Sequence, residues 1–249
     1  MRFISKPDNT KIAEMWDSLA IKRQRCIAEG TDTTFMYVIC PHILSLLAEY
    51  PEDSRIIDLG CGTGSLTHAI ANRHKSVVGL DISESSIALA SNSNTHENSD
   101  VKFICTSIEE YAKNTLAKYD VAVASMLFSN VVDLNNTISA ISSLLVDRGT
   151  LLILMPHPVF WPYYWDFAFF NDYNYSKEQY IETDFVISSD TNCGSSIYIH
   201  RPLDQYFSAF LRNFNIDRFM EIVACKDFDS RILSEFKLPR LISLVLHKK

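Results

Sequence analysis

The chain has 249 residues, 47% of them hydrophobic and 21% charged, enough to bury a full core and too apolar for disorder over most of its length. Its formal net charge is -7, from 30 acidic and 23 basic residues, so the basic footprint that a nucleic-acid partner demands is missing. Six cysteines, at 26, 40, 61, 105, 193 and 225, form no Cys-x-x-Cys pair, which speaks against a zinc or redox motif and for buried thiols in a reducing compartment.

The amino terminus, Met1 to Asp8, lacks the apolar stretch of a signal peptide. Leu151 to Phe170 is almost all apolar or aromatic, but Pro156, Pro158, Pro162, His157 and Asp166 suit a membrane helix poorly. The expectation is a soluble, cytoplasmic protein without a membrane partner, a metal or a nucleic-acid partner, and with its oligomeric state open.

The elements follow in chain order. Asp8 or Thr10 caps a first helix, whose Ile12, Met15, Trp16 and Leu19 step by three and four onto one face. A second helix is predicted from Thr33 to Glu49, ended by Pro51. Strand and helix then alternate: a strand at Arg55–Leu59, a helix from Ser65 to His74, and a strand at Ser76–Asp81. A helix capped by Ser83 comes next, then strands at Val101–Cys105 and Asp120–Ser125. Leu134, Ile138, Ile141 and Leu145 mark a further helix face, Asp147-Arg148-Gly149 a turn, and Thr150–Met155 a fifth strand. Such alternation implies a parallel sheet covered on both faces.

After residue 155 the alternation stops. Tyr180–Ile187 and Ser195–His200 read as a hairpin around Asn192-Cys193-Gly194, standing out as an insertion. Pro202 opens a helix to about Asn213, and strands at Arg218–Cys225 and Arg240–His247 form an antiparallel pair at the end.

Asp58-Leu59-Gly60-Cys61-Gly62-Thr63-Gly64 follows a strand and opens a helix, the context in which a glycine loop becomes a cofactor site with helix amides facing the ligand. A tight strand-to-helix turn is the plainer alternative. Asp81 tips the balance, because it ends the next strand about twenty residues on, where a carboxylate accepts both hydroxyls of a ribose. A dinucleotide site would use Gly-x-Gly-x-x-Gly; here the last spacing is one residue short, and an acid beside the loop suits a cation better than a pyrophosphate.

Ile56 to Gly64 and Val77 to Ile82 together resemble the class I methyltransferase family, over roughly residues 35 to 155. The resemblance implies a Rossmann-like, doubly wound α/β sheet, mostly parallel with an antiparallel C-terminal strand pair. It also implies S-adenosylmethionine as cofactor. By this likeness Asp58, Gly60, Gly62 and Gly64 meet its amino-acid part, Asp81 holds the ribose, and Ile82 packs on the adenine. The family commonly has Asp two positions after the equivalent of Cys105, where this chain has Ser107; that contact is then weakened or replaced, and the Ile108 amide is left to read the ring. Ser125 falls near the methionine portion. Helices ahead of the first strand often form a cover in this family, which gives Trp16 and Tyr37 the methionine end. The chain is thus expected to be a single domain over 1–249, made of a helical cover (1–50), a cofactor core (55–155), an aromatic lid with its hairpin (156–200) and a C-terminal helix with its strand pair (201–249).

For the acceptor, the segment from Phe160 to Tyr175 is crowded with rings and starts beside the presumed methyl group; some of them must form a subcore under a loop. Phe160, Trp161 and Tyr164 are the expected acceptor-pocket residues. Ser125-Met126-Leu127-Phe128 lacks the Asn/Asp-Pro-Pro pattern of family members that methylate nucleic-acid bases, and Ile199 to Leu203 resembles bacterial small-molecule methyltransferases related to quinone-biosynthesis enzymes. The expected reaction is therefore methyl transfer to O, N or C of a metabolite. His157, just past the fifth strand, and His200, at the end of the hairpin, are the candidate bases for a hydroxyl acceptor. A protein or RNA methyltransferase, an NAD(P)-dependent oxidoreductase and a non-catalytic metabolite-binding module are the alternatives.

Overall fold

The structure is a computed structural model, and it describes residues 1–92, 100–187, 194–223 and 237–249. It begins with a short strand that the sequence pattern does not announce, β1 (Arg2–Ile4). Helix α1 (Asn9–Ala28) follows, with Asp8 as its N-cap accepting the Lys11 N–H at 2.8 Å. The helix expected from Thr33 to Glu49 comes in two pieces, a π-helical turn (Phe35–Ile39) and α2 (Cys40–Leu47). Pro41 explains the break: it has no N–H to continue the ordinary ladder, and the Cys40 N–H reaches five residues back to the Phe35 carbonyl.

The alternating units are β2 (Arg55–Leu59), α3 (Ser65–Ala71), β3 (Ser76–Asp81), α4 (Glu84–Asn92), β4 (Asp100–Cys105), α5 (Ile108–Asn114), β5 (Tyr119–Ser125), α6 (Leu134–Leu144) and β6 (Leu145–Pro156). Helix α5 is a further element that the sequence analysis does not name. Leu145, counted on the α6 face, instead starts β6, where it pairs with Tyr119 before the turn at Arg148 (φ 61°). Beyond β6 lie a one-turn helix, α7 (Trp161–Tyr164), then β7 (Gln179–Asp184), β8 (Ser195–His200), α8 (Leu203–Asn213), β9 (Phe214–Ile222) and β10 (Leu241–Lys248). Strand β9 begins at Phe214, directly out of α8 and earlier than Arg218. Cys193 in the expected hairpin turn, and Cys225 at the expected end of the strand at 218–225, lie outside the described residues.

Seven strands form one sheet in the order β4-β3-β2-β5-β6-β10-β9, parallel from β4 to β6, with β10 antiparallel to both β6 and β9. Ile56, Ile57 and Leu59 of β2 are fully buried because the sheet is covered on both sides. Ile57 and Leu59 pack with Leu134, Ile138 and Ile141 of α6 and Phe210 of α8, while Ile56 packs with Ile43 and Leu47 of α2 and Leu66 and Ile70 of α3. Burying each such side chain stabilises the fold by roughly 1.5–3 kcal/mol. The chain leaves β2 toward β3 on one side and returns to β5 on the other, so a crevice opens between them at the carboxyl ends of the strands.

The expected hairpin does not join this sheet. Strands β7 and β8 pair with each other, and β1 adds to β7 with Phe3 opposite Ile181, giving a separate antiparallel sheet β1-β7-β8. Arg201 ties that sheet to the core. Its guanidinium is fully buried, with Nε 2.6 Å from Glu178 Oε2 and Nη2 donating to the Val131 carbonyl at 2.7 Å. Among the described residues no helix is long and apolar enough to cross a membrane, and Cys26, Cys40, Cys61 and Cys105 are unpaired.

Candidate active site

The loop between β2 and α3 turns with positive φ at Gly60, Gly62 and Gly64. The reasons differ along it. A Cβ on Gly64 would lie 2.8 Å from the Ala90 Cβ, so this glycine lets α3 and α4 pack closely, and it is not among the described residues lining the cavity below. A Cβ on Gly62 would meet nothing within 4 Å, because Gly62 faces open space.

Four of the loop amides are engaged within the chain. Gly60 and Cys61 both donate to the Leu80 carbonyl, at 2.8 and 2.9 Å, Gly64 donates to Cys61 O, and Gly62 donates to Asp81 Oδ2 at 2.8 Å. An anion such as a pyrophosphate would find these donors already used. A cation would not need them.

That open space is a cavity of about 1150 Å³ running along the carboxyl ends of the strands. Pockets for one small ligand are commonly about 300–1,000 Å³, so there is room for a cofactor and an acceptor together. Of the expected cofactor residues, Asp58, Gly60, Gly62, Asp81, Ile82, Ser107, Ile108 and Ser125 all line it. Asp81 is held by two amides, Gly62 at Oδ2 and Ser83 at Oδ1, each at 2.8 Å, which fixes the carboxylate at the mouth of the loop. Asp58 is 1% exposed and accepts the Thr67 hydroxyl at 2.7 Å. Burial pushes its carboxyl up to about 7, against the Thr67 bond, with the charge of Asp81 adding to the rise. Burial likewise raises Asp81, against the pull of the Ser83 and Gly62 amides. Two desolvated acids in one cavity call for a cationic or hydroxyl-bearing ligand, and the donor set fits S-adenosylmethionine, which carries an ammonium, a sulfonium and a ribose diol.

Ser107 is the N-cap of α5, its Oγ accepting the Glu110 N–H at 3.1 Å. Asp and Ser are equally good N-caps, which accounts for the departure at this position without disturbing the helix. The hydroxyl keeps its own proton and a second lone pair for the cavity. At the far end, Trp16 of α1 and Trp161, Tyr164 and Trp165 around α7 line the wall, together with Ile197 and Tyr198 of β8. Met126, beside Ser125, takes φ 58° without being glycine, held by its N–H on the Leu154 carbonyl.

Four of the expected site residues lie outside the described cavity lining. Tyr37 sits on the π-helical turn against the α2–α3 side of the core, and Phe160 packs on His157 with ring centroids 4.6 Å apart; neither is among the described lining residues. His157 is 3% exposed, its Nε2 3.2 Å from Glu221 Oε1 and its Nδ1 accepting the Val159 N–H. The His157 N–H bonds Arg240 O, so the chain turns along β10 and carries the ring toward β9. His200 is fully buried behind β8, with Nε2 2.9 Å from the Tyr175 carbonyl. Burial lowers both histidine pKa values, and neither ring is among the described lining residues.

Arg23, Asp32 and Arg240, charged residues outside the expected site, also line the cavity. Arg23 pairs with Asp32, whose Oδ1 also accepts the Phe35 N–H at 2.9 Å. Arg240, 3% exposed, sits just ahead of β10. A single arginine after a proline carries no sequence signal that separates it from any other loop arginine.

A seven-stranded sheet of this order, with a glycine loop and two acids at its switch point, has the architecture of the class I S-adenosylmethionine-dependent methyltransferases. Comparison with known proteins agrees. The family described as a methyltransferase domain matches residues 51–178, and the chain belongs to that family. Among curated relatives, the ubiquinone biosynthesis O-methyltransferase of Bordetella avium is 28% identical over 103 residues, covering 41% of this chain and 43% of that protein. The chain spans less than half the length of the first curated relatives it matches. Among solved structures, magnesium protoporphyrin IX methyltransferase from Synechocystis PCC 6803, with bound S-adenosylhomocysteine, superposes with a TM-score of 0.66 at 16% identity, covering 98% of this chain and 100% of that one. An S-adenosylmethionine dependent methyltransferase from Mesorhizobium loti gives 0.57 at 17% identity, covering 82% and 95%. At these identities the likeness shows the fold alone.

Proposed function

We propose that this protein is an S-adenosylmethionine-dependent methyltransferase acting on an O, N or C nucleophile of a small-molecule metabolite. The observation that carries the reading is the single cavity. It joins the acids of β2 and β3 to an aromatic wall beyond β6, with room for two ligands. Asp81 receives the ribose hydroxyls, Asp58 and the loop from Gly60 to Gly62 receive the amino-acid end, and Ile82, Ser107 and Ile108 border the adenine. S-adenosylmethionine supplies a methyl group activated by sulfonium. Trp161 and Tyr164 hold the acceptor in line with it, and aromatic faces tolerate the adjoining cation.

With both histidines turned away from the cavity, positioning and exclusion of water carry most of the catalysis. Proximity alone is worth up to about 7–11 kcal/mol. The curated relatives named for ubiquinone biosynthesis support an acceptor in the small-molecule range. The acidic net charge also weighs against nucleic acid.

The test is incubation with methyl-labelled S-adenosylmethionine and a fractionated metabolite extract. Label is expected in one or a few small molecules. Label only in protein or RNA fractions would overturn the acceptor class, and no label in any fraction would favour a non-catalytic binding module.

A further inference from the structure

Most charged side chains around the cavity are accounted for by a partner or by solvent, but Arg240 is not. It lines the cavity at 3% exposure, and among the described residues neither Nε nor Nη2 has a hydrogen-bond partner; both atoms are buried. Its backbone is pinned on both sides, the N–H on the Ile222 carbonyl at 3.1 Å and the carbonyl on the His157 N–H at 2.8 Å. The guanidinium carbon lies 4.7 Å from the ring centre of Tyr164. Glu221, which precedes Ile222 on β9, is engaged by His157, and the other arginine in the cavity wall, Arg23, is paired with Asp32. The indole N–H of Trp165, which packs edge-on against Tyr164 with centroids 5.3 Å apart, is likewise buried without a partner. Unmatched donors therefore lie just beneath one face of the cavity.

Position says which ligand they serve. The cofactor residues lie at the ends of β3, β2 and β5, whereas Arg240 stands where β10 meets the end of β6, next to Pro156 and the aromatic wall. Neighbouring strands are about 4.8 Å apart, so Arg240 is roughly three strand spacings, or about 14 Å, from β2, on the acceptor side of the methyl group. A buried guanidinium with unmatched N–H groups is costly, and an anion entering the cavity offsets that cost. Nε and Nη2 are the two nitrogens whose N–H bonds run parallel along one edge, the fork that matches a carboxylate or a phosphate.

We propose that Arg240, with Trp165 beside it and Tyr164 beneath it, recognises an oxyanion on the methyl acceptor, so that the substrate is an acidic metabolite. This rests on the methyltransferase reading and adds the charge class of its substrate. An acceptor anion draws the covered edge of Arg240 toward the cavity, and the aromatic wall receives the rest of the molecule.

The experiment uses the full chain saturated with S-adenosylhomocysteine. Benzoate, cinnamate and phenyl phosphate are titrated against benzamide and cinnamamide by ligand-observed NMR, in the parent protein, Arg240→Gln and Arg240→Lys. Carboxylates and phosphate distinguish the two sources of oxyanion. The expected result is an anion preference of about tenfold or more in the parent, falling to within about twofold in Arg240→Gln and partly kept in Arg240→Lys. Calorimetric binding of S-adenosylhomocysteine reports folding of each variant. Parent protein that binds S-adenosylhomocysteine but shows no preference for any anion overturns the proposal alone, as does a preference undiminished in Arg240→Gln. Parent protein that fails to bind S-adenosylhomocysteine overturns the methyltransferase reading and this one with it.

Discussion

Asp81 accepts the backbone N–H of Gly62 at 2.8 Å, so the acid proposed to receive the ribose also shapes the loop proposed to receive the amino-acid end. The two halves of the cofactor site are one unit. Asp81→Ala removes the ribose acceptor and frees the Gly62 amide. S-adenosylhomocysteine affinity is expected to fall by about 10- to 100-fold, corresponding to ~1.5–3 kcal/mol for charge-assisted hydrogen bonds. Titration calorimetry measures this directly, and an affinity within twofold of the parent would remove Asp81 from the site.

The glycines separate by the same geometry. Gly64→Ala puts a Cβ 2.8 Å from Ala90 at φ 81°, so it is expected to lower the melting temperature by several degrees. Gly62→Ala meets no neighbour and is expected to cost cofactor affinity more than stability. Thermal melts and calorimetry on the two variants should therefore rank them in opposite order.

Asp58 is expected to make cofactor binding depend on pH. Its carboxyl is raised to about 7 in the free protein, first by burial. The unfolded chain ionises near ~4. The stability this group contributes is thus full at low pH and is lost as pH rises toward and through 7. An ammonium beside it favours the charged form, so binding releases up to about one proton near pH 6.5, and affinity rises from pH 6 to 8. Calorimetry in two buffers of different ionisation enthalpy reads the proton release, and Asp58→Asn should abolish it.

Most of the parallel core was legible because parallel strands buried on both faces read as continuous apolar runs, as Arg55–Leu59 and Ser76–Asp81 do. The acids at their ends followed from the same reading. The strand Arg2–Ile4 was not legible, since three residues carry no period and the partner lies at Ile181, far along the chain. The surroundings of His157 were not legible for a similar reason. Its distance from the strand end was right, but its direction is set by a hydrogen bond to Arg240, which sequence spacing does not contain. Arg240 itself became visible only when the fold brought it to the cavity wall.

The histidines are expected to serve the fold. Burial lowers the pKa of His157 and His200, so each contributes stability that is lost as pH falls through the ordinary histidine range, where the unfolded chain takes the proton more readily. His157→Ala removes a buried ring and its bond to the half-exposed Glu221, and should cost about 1–3 kcal/mol in denaturant melts. Turnover per folded molecule should keep the parent's pH profile. A profile that loses its limb near neutral pH in His157→Ala would return this residue to the chemistry.

Arg201 carries the join between the β1-β7-β8 sheet and the core. Arg201→Ala leaves the Glu178 carboxylate and the Val131 carbonyl without their shared donor, and is expected to destabilise by about 3–5 kcal/mol. Hydrogen exchange would find β7 and β8 losing protection before β2 and β5. Uniform loss across both sheets would mean that Arg201 is no special link.

The central claim is that the glycine loop and its two acids hold S-adenosylmethionine and not a dinucleotide. Calorimetric titration of the full chain with S-adenosylhomocysteine and, separately, with NAD compares the two directly. Saturable binding of S-adenosylhomocysteine with no heat from NAD is the predicted result; binding of NAD without S-adenosylhomocysteine would contradict the account.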